Sequence, residues 1–272
     1  MRLAVSNIAW NNNNLPSFLR FLKNEGCHGV ELAINKIWSE PVDASKDCIQ
    51  KLRQLLRENE IELVGFHALF FTRPDLQFFA NGPRGREAFF NYLKNLAWIC
   101  SQLGGKILVW GSPRNRQLSE TFENSDSDDV IPSLRRFMET ISPSKVTIAL
   151  EHLSPKNTSF VASYRECVGL VQEVNHPQFR PHLDIGTVVE CGEAISHLMQ
   201  FSSLPVHVHV NEPGLTPPTE TGPVNHPDIG AELRKYQYDG YVSLEARSDS
   251  IGGPKELAQI IKFMRESYLG NS

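Results

Sequence analysis

Two rhythms of apolar residues alternate along this chain. Short runs rich in Val, Ile, Leu and Ala carry the two-residue period, or the near-continuous apolarity, of buried strands. They are LAVSNIA (3–9), HGVELA (28–33), ELVGFHA (62–68), KILVWG (106–111), VTIALE (146–151), RPHLD (180–184), VHVHV (206–210) and YVSLE (241–245). Between them, apolar residues recur at helical spacing. Helices are expected over Leu15–Asn24 and near 44–58, 85–103, 129–140, 160–174, 188–200, 227–237 and 254–267. In the second, Ile49, Leu52, Leu55 and Leu56 form one face; in the third, Phe89, Phe90, Leu93, Leu96, Ala97 and Cys100 do. Strand and helix alternating in this way predict a parallel sheet, and eight repeats predict its closure. The expectation is an α/β protein, a single (β/α)8 TIM barrel, with residues 1–272 as one domain.

Composition narrows the partners. A 40% hydrophobic content is ordinary for a globular chain, and a formal net charge of −4 without a long basic run argues against nucleic acid or an anionic membrane. No apolar run approaches the roughly 20 residues of a membrane span. The N-terminus MRLAVSNIAW enters a strand pattern at once, without the apolar stretch and cleavage site of a signal peptide. Five scattered cysteines, with no CxxC pair, read as reduced thiols. A cytoplasmic protein is expected. The polar ENSDSDD (123–129) reads as a helix cap or a mobile lid, and Asn11–Asn14 as a loop.

Chemistry gathers at the ends of the last four strands. Glu151, Asp184, His209 and Glu245 are 33, 25 and 36 residues apart, near the roughly 30-residue period of a barrel repeat. A carboxylate ending an apolar strand must be paired, hydrogen-bonded or on a metal, because an isolated buried charge is very costly. Asp184 alone serves equally well as a helix cap. His207 and His209 share one face of their strand; His209 is nearer the rim, and His207 lies a layer deeper. Three carboxylates and an imidazole suit one divalent ion, Mn²⁺, Mg²⁺ or Co²⁺, with Zn²⁺ also compatible.

GVELA, ALEH, HLD, HVHVNE and GYVSLE resemble the xylose-isomerase-like barrel superfamily, over nearly the whole chain. Its members include sugar isomerases, ketose 3-epimerases, sugar-acid and inositol dehydratases and endonuclease IV. The resemblance implies a metal on Glu151, Asp184, His209 and Glu245. It also implies that Glu151 and Glu245 act as the acid/base pair about a cis-enediolate of a small sugar, sugar phosphate or polyol. Three substrate positions of the ketose epimerases differ: Asn157, Thr187 and Leu215 stand where glutamate, histidine and arginine are the rule. SNIAW, KIW, RPDLQFF and GSPRNR resemble a branch usually labelled sugar phosphate isomerase/epimerase. A sugar-acid or inositol dehydratase is the alternative; an endonuclease IV-like hydrolase, which needs more histidines and a basic face, or a non-catalytic sugar binder ranks lower. The oligomeric state stays open, a homo-oligomer included.

Further candidates line the expected rim. His67 could bond a substrate hydroxyl, and Glu31 could bind substrate or pair with a basic neighbour. Glu212 in HVHVNE joins this set. Arg114 and Arg116 suit a phosphate or carboxylate, or pair on the surface with the 123–129 loop. Arg247 is similarly placed. Trp110 and Trp38 could stack on a sugar ring or pack in the core. Ile251-Gly-Gly-Pro254 opens a helix whose amides could hold a phosphate.

Overall fold

The computed structural model describes residues 1–11, 14–79, 82–118, 129–194 and 204–270. The strands are β1 (Arg2–Ser6), β2 (Gly29–Ala33), β3 (Glu62–His67), β4 (Ile107–Trp110), β5 (Thr147–Glu151), β6 (Phe179–Asp184), β7 (His207–Val210) and β8 (Tyr241–Leu244). Each runs parallel to the next, and β8 pairs with β1 to close the barrel. The helices are α1 (Leu15–Asn24), α2 (Lys46–Glu58), α3 (Gly82–Gln102), α4 (Val130–Ile141), α5 (Tyr164–Val174), α6 (Ile185–Glu190), α7 (His226–Lys235) and α8 (Pro254–Met264). The expected (β/α)8 barrel is the fold. The helix expected near 188–200 begins earlier, as α6, because Asp184 caps it; residues 195–200 of that expectation, and 123–128 of the loop, lie outside the described residues.

Local chemistry sets the helix starts. Asn14, Ser45, Ser163 and Asn225 each accept a first-turn backbone N–H, relieving one unpaired donor. The apolar faces then seal the outer surface of the barrel. Phe18, Leu19 and Leu22 of α1, Ile49, Leu52 and Leu56 of α2, and Phe89, Leu93 and Leu96 of α3 are all buried there. No helix among the described residues is long and apolar enough to cross a membrane.

The barrel interior is graded. Ala4, Val64, Ile107, Val109, Ala149 and Tyr241 form an apolar plug in its lower half. Above it come the buried polar side chains of Ser6, Glu31, His182, His207 and Ser243, and then the site. A register shift between Val30 and Glu31 leaves β3 with one extra residue, pairing Val30 with Leu63 and Glu31 with Gly65. Simple alternation from inward-facing Val64 would send His67 outward. The bulge restores it to the mouth, where its ring meets Ser6 and Glu245.

Candidate metal centre

Glu151 ends β5, Asp184 ends β6, His209 lies within β7 and Glu245 follows β8 directly. All four converge on the C-terminal mouth of the barrel. Nδ1 of His209 lies 2.9 Å from Oε2 of Glu245 and 3.7 Å from Oδ2 of Asp184. One ligand atom each from Glu151, His182, Asp184 and His209 falls within 4.8 Å of the others. Glu245 stands beside this group, its carboxylate reaching His209 through one oxygen and Nδ1 of His67, at 2.8 Å, through the other. Gly111 makes room: a Cβ there would sit 1.9 Å from Oε2 of Glu151.

Supporting contacts orient the ring of His209. Its Nε2 lies 3.1 and 3.0 Å from the two oxygens of Glu31, which only accept, so Nε2 carries the proton. In the neutral ring Nδ1 then presents its lone pair upward, where it has no hydrogen-bond partner among the described residues despite the nearby carboxylates. A histidine whose far nitrogen is fixed by a carboxylate is the usual form of a metal ligand. Glu31 also takes Nε2 of His207 at 3.2 Å and the Ser243 hydroxyl at 2.9 Å. Asp184 is held on both oxygens: Oδ1 caps α6 through the Thr187 amide, and Oδ2 accepts from Asn211.

The electrostatics call for positive charge. Burial, then the charges of Asp184 and Glu245, push the Glu151 carboxyl well above its usual range. Burial alone would depress His209, but Glu245 and Glu31 outweigh it and hold the imidazole well above its ordinary value. Burial likewise opposes ionisation of Glu31 and Glu245, yet the neighbouring histidines pull both down. Hard oxygen donors, an aimed imidazole nitrogen and crowded carboxylates fit a divalent ion.

A cleft of about 360 Å³ opens above this cluster. His67, Glu151, Asp184, Glu212, Glu245 and Arg247 line it, and so do Asn157, Thr187 and Leu215. A larger cavity, about 850 Å³, lies between residues 219–227 and the end of the last helix, away from the carboxylates. Size does not mark the site here; converging donors do.

Some rim candidates lie elsewhere. Glu31 is fully buried beneath His209 and off the cleft wall, because three donors hold it there. Trp110 is also buried, edge-on to Phe78 at 5.0 Å on the outer side of the barrel, since alternation after inward Val109 turns it away. Trp38 packs partly buried against the same outer core. Arg114 is exposed and off the wall. Arg116, rather than sitting in solvent, is fully buried and donates to the backbone oxygen of Glu151 at 2.7 Å. At the start of α8 the Gly252 amide donates to Oε2 of Glu256 at 2.7 Å. His207 occupies the deeper layer expected of it.

His182 and Asn211 had gone unremarked. Each stands two residues from a site residue on the same strand or its extension, so alternation alone points them at the site. His182 is fully buried with neither ring nitrogen hydrogen-bonded among the described residues, and its ring lies 4.2 Å from that of His209.

The family model for the xylose isomerase-like TIM barrel matches residues 19–267. No protein of curated function matches the sequence significantly. Among solved structures, the chain is similar to D-psicose 3-epimerase with D-tagatose from Clostridium cellulolyticum H10, with 17% identity and a TM-score of 0.82 over 98% of this chain and 99% of that one. It is similar to 3-keto-D-glucoside 4-epimerase from E. coli, with 16% identity and a TM-score of 0.79 over 97% and 99%. It is also similar to the IOLI protein with a bound zinc atom, with 19% identity and a TM-score of 0.76 over 99% and 98%. At such identities the likeness is one of fold.

Proposed function

The chain belongs to the xylose isomerase-like TIM barrel family, and from that premise we propose that it is a divalent-metal-dependent isomerase or epimerase of a small carbohydrate or polyol. Glu151, Asp184, His209 and Glu245 would hold the ion, with His182 beside them. The observation that carries this reading is His209: one nitrogen anchored on Glu31, the other free and aimed among three carboxylates. Sugars in the epimerase structure and zinc in the IOLI structure support it as family precedent.

When bound, the cation would polarise the substrate carbonyl and offset negative charge on its oxygens. Glu151 and Glu245 enter from β5 and β8, on separate walls of the cleft. One removes the proton from the carbon beside the carbonyl, and the other returns a proton to the resulting enediolate. His67 stands beside Glu245, its Nδ1 2.8 Å from Oε1, and its Nε2 meets the Ser6 hydroxyl at 2.6 Å, so it packs against the carboxylate at the mouth. Asn157, Thr187 and Leu215 on the wall supply amide, hydroxyl and methyl contacts in place of the charged groups usual in ketose epimerases.

Charge on the wall favours an uncharged substrate. Glu151, Asp184, Glu190, Glu212 and Glu245 face Arg247, whose guanidinium is already paired with Asp249. A phosphate would meet that surplus of carboxylates, whereas sugar hydroxyls can donate to it. The test is incubation of ketoses, their phosphates and inositol ketones in D₂O with Mn²⁺. Deuterium should enter at a carbon beside the carbonyl of an unphosphorylated substrate, and Glu245→Gln should abolish the exchange. Exchange at the wild-type rate in that variant would remove Glu245 from the chemistry. Loss of hydroxyl from the product would identify a dehydratase instead.

A further inference from the structure

Behind the cleft wall, we propose, His152, Cys191 and Glu193 form a second cation site, for a thiophilic divalent ion of the Zn²⁺ class. One ligand atom from each lies within 4.8 Å of the other two. His152 follows Glu151 directly but is absent from the cleft lining, so the two side chains serve different sites. Its ring is fully buried, and neither nitrogen has a hydrogen-bond partner among the described residues. A buried imidazole without partners is costly and calls for a missing neighbour. Nε2 lies 4.0 Å from Oε2 of Glu193.

The donor set selects the ion. Thiolate, imidazole and carboxylate together suit Zn²⁺ and its borderline relatives, and no cysteine takes part in the metal centre at the mouth. Two donors on a tetrahedral zinc stand about 3.5 Å apart, so a contraction of about half an ångström at the 4.0 Å pair would complete the geometry. Both ends of the site are already fixed. Oε2 of Glu193 accepts the Tyr164 amide at 3.0 Å, and Sγ of Cys191 lies 3.7 Å from the Ala162 carbonyl oxygen. On binding, sulfur gives its proton to solvent and its lone pair to the ion. The fourth position falls to water.

Position gives the site its role. Cys191 and Glu193 directly follow α6, whose first turn is capped by Asp184. A cation here would pin the far end of α6 to the strand end that bears Glu151. Thr187 and Glu190 of α6 and Leu153 beside His152 all line the cleft, so the tie would stiffen one of its walls.

Co²⁺ is the probe. The full-length chain titrated with Co²⁺ should develop a thiolate-to-cobalt charge-transfer band in the near ultraviolet. Cys191→Ser should remove the band, while Cys48→Ser, at an exposed cysteine, should keep it. Asp184→Asn should keep it as well, which separates this site from the metal centre at the mouth. In the wild-type chain, Zn²⁺ should protect Cys191, but not Cys48, from alkylation mapped by mass spectrometry, a readout that needs no variant to fold. Absence of the band from the wild type, its survival in Cys191→Ser, or equal alkylation of Cys191 with and without Zn²⁺ would overturn the proposal.

Discussion

Glu31 shows how much a single buried residue can decide. It is fully buried, and three donors from β7 and β8 converge on its carboxylate, so it acts on the cleft only through the ring of His209. Glu31→Gln should weaken Mn²⁺ binding by about 10–100-fold, the usual effect of losing a metal histidine's partner. Calorimetric titration measures this, and an unchanged affinity would show that His209 needs no such anchor. The four mouth residues were legible in the sequence because each ends or nearly ends a strand and their spacing follows the barrel repeat. Glu31 and Trp110, each open to a role in the cleft or to a structural one, take the structural one for a common reason. Strand ends mark a residue as near the mouth, but layer and face depend on register and alternation, which a motif does not carry. Arg116 is a different case: nothing in GSPRNR signals that one of its two arginines is buried against the backbone of Glu151.

At the scale of elements, α6 and β3 carry the instructive cases. Asp184 serves twice, as the cap of α6 and as a group facing the metal centre. Substitutions can separate the two roles. Asp184→Asn keeps a capping oxygen and Asp184→Ala does not, so both should lose metal affinity while only the alanine variant loses a further ~1 kcal/mol of stability, measured by denaturant unfolding without metal. Equal stability of the two would show that the cap contributes nothing. The sequence offered capping and ligation at Asp184 as alternatives, and the geometry makes them compatible. The β3 bulge has one mark in ELVGFHA, Gly65, where the register shifts and a Cβ would sit 2.0 Å from the Ile107 backbone oxygen; a lone glycine shows that the strand is irregular there but not the direction of the shift. His67 was nonetheless placed at the mouth, because its position at the strand end mattered more than the phase of alternation. At α7, burial depresses His226 to about 4, and its Nδ1 meets the Tyr268 hydroxyl at 2.6 Å. The folded chain therefore resists protonation there. Stability tied to this group is complete above the unfolded value of about 6.5 and is lost as pH falls through about 4. Across that window the wild type should lose up to about 3 kcal/mol more than His226→Gln, followed by urea unfolding at a series of pH values. Parallel losses in the two proteins would remove His226 as the cause.

For the whole molecule, the architecture was legible because it repeats. Eight apolar runs, each followed by a helical stripe, leave few alternatives to a closed parallel barrel. Closure does the work that no local motif can: it brings residues from β2, β3, β5, β6, β7 and the end of β8 to one axis and grades the interior from an apolar plug to a charged mouth. The substrate is less legible, since Asn157, Thr187 and Leu215 report which charges the wall lacks rather than which molecule it selects. Crystals grown with Mn²⁺ and measured at the manganese absorption edge would show whether the four donors share one ion. One anomalous peak is expected at the barrel mouth, about 2.1 Å from Glu151, Asp184, Nδ1 of His209 and Glu245. Saturating Mn²⁺ with no peak there, or a peak on donors that exclude His209, would contradict it.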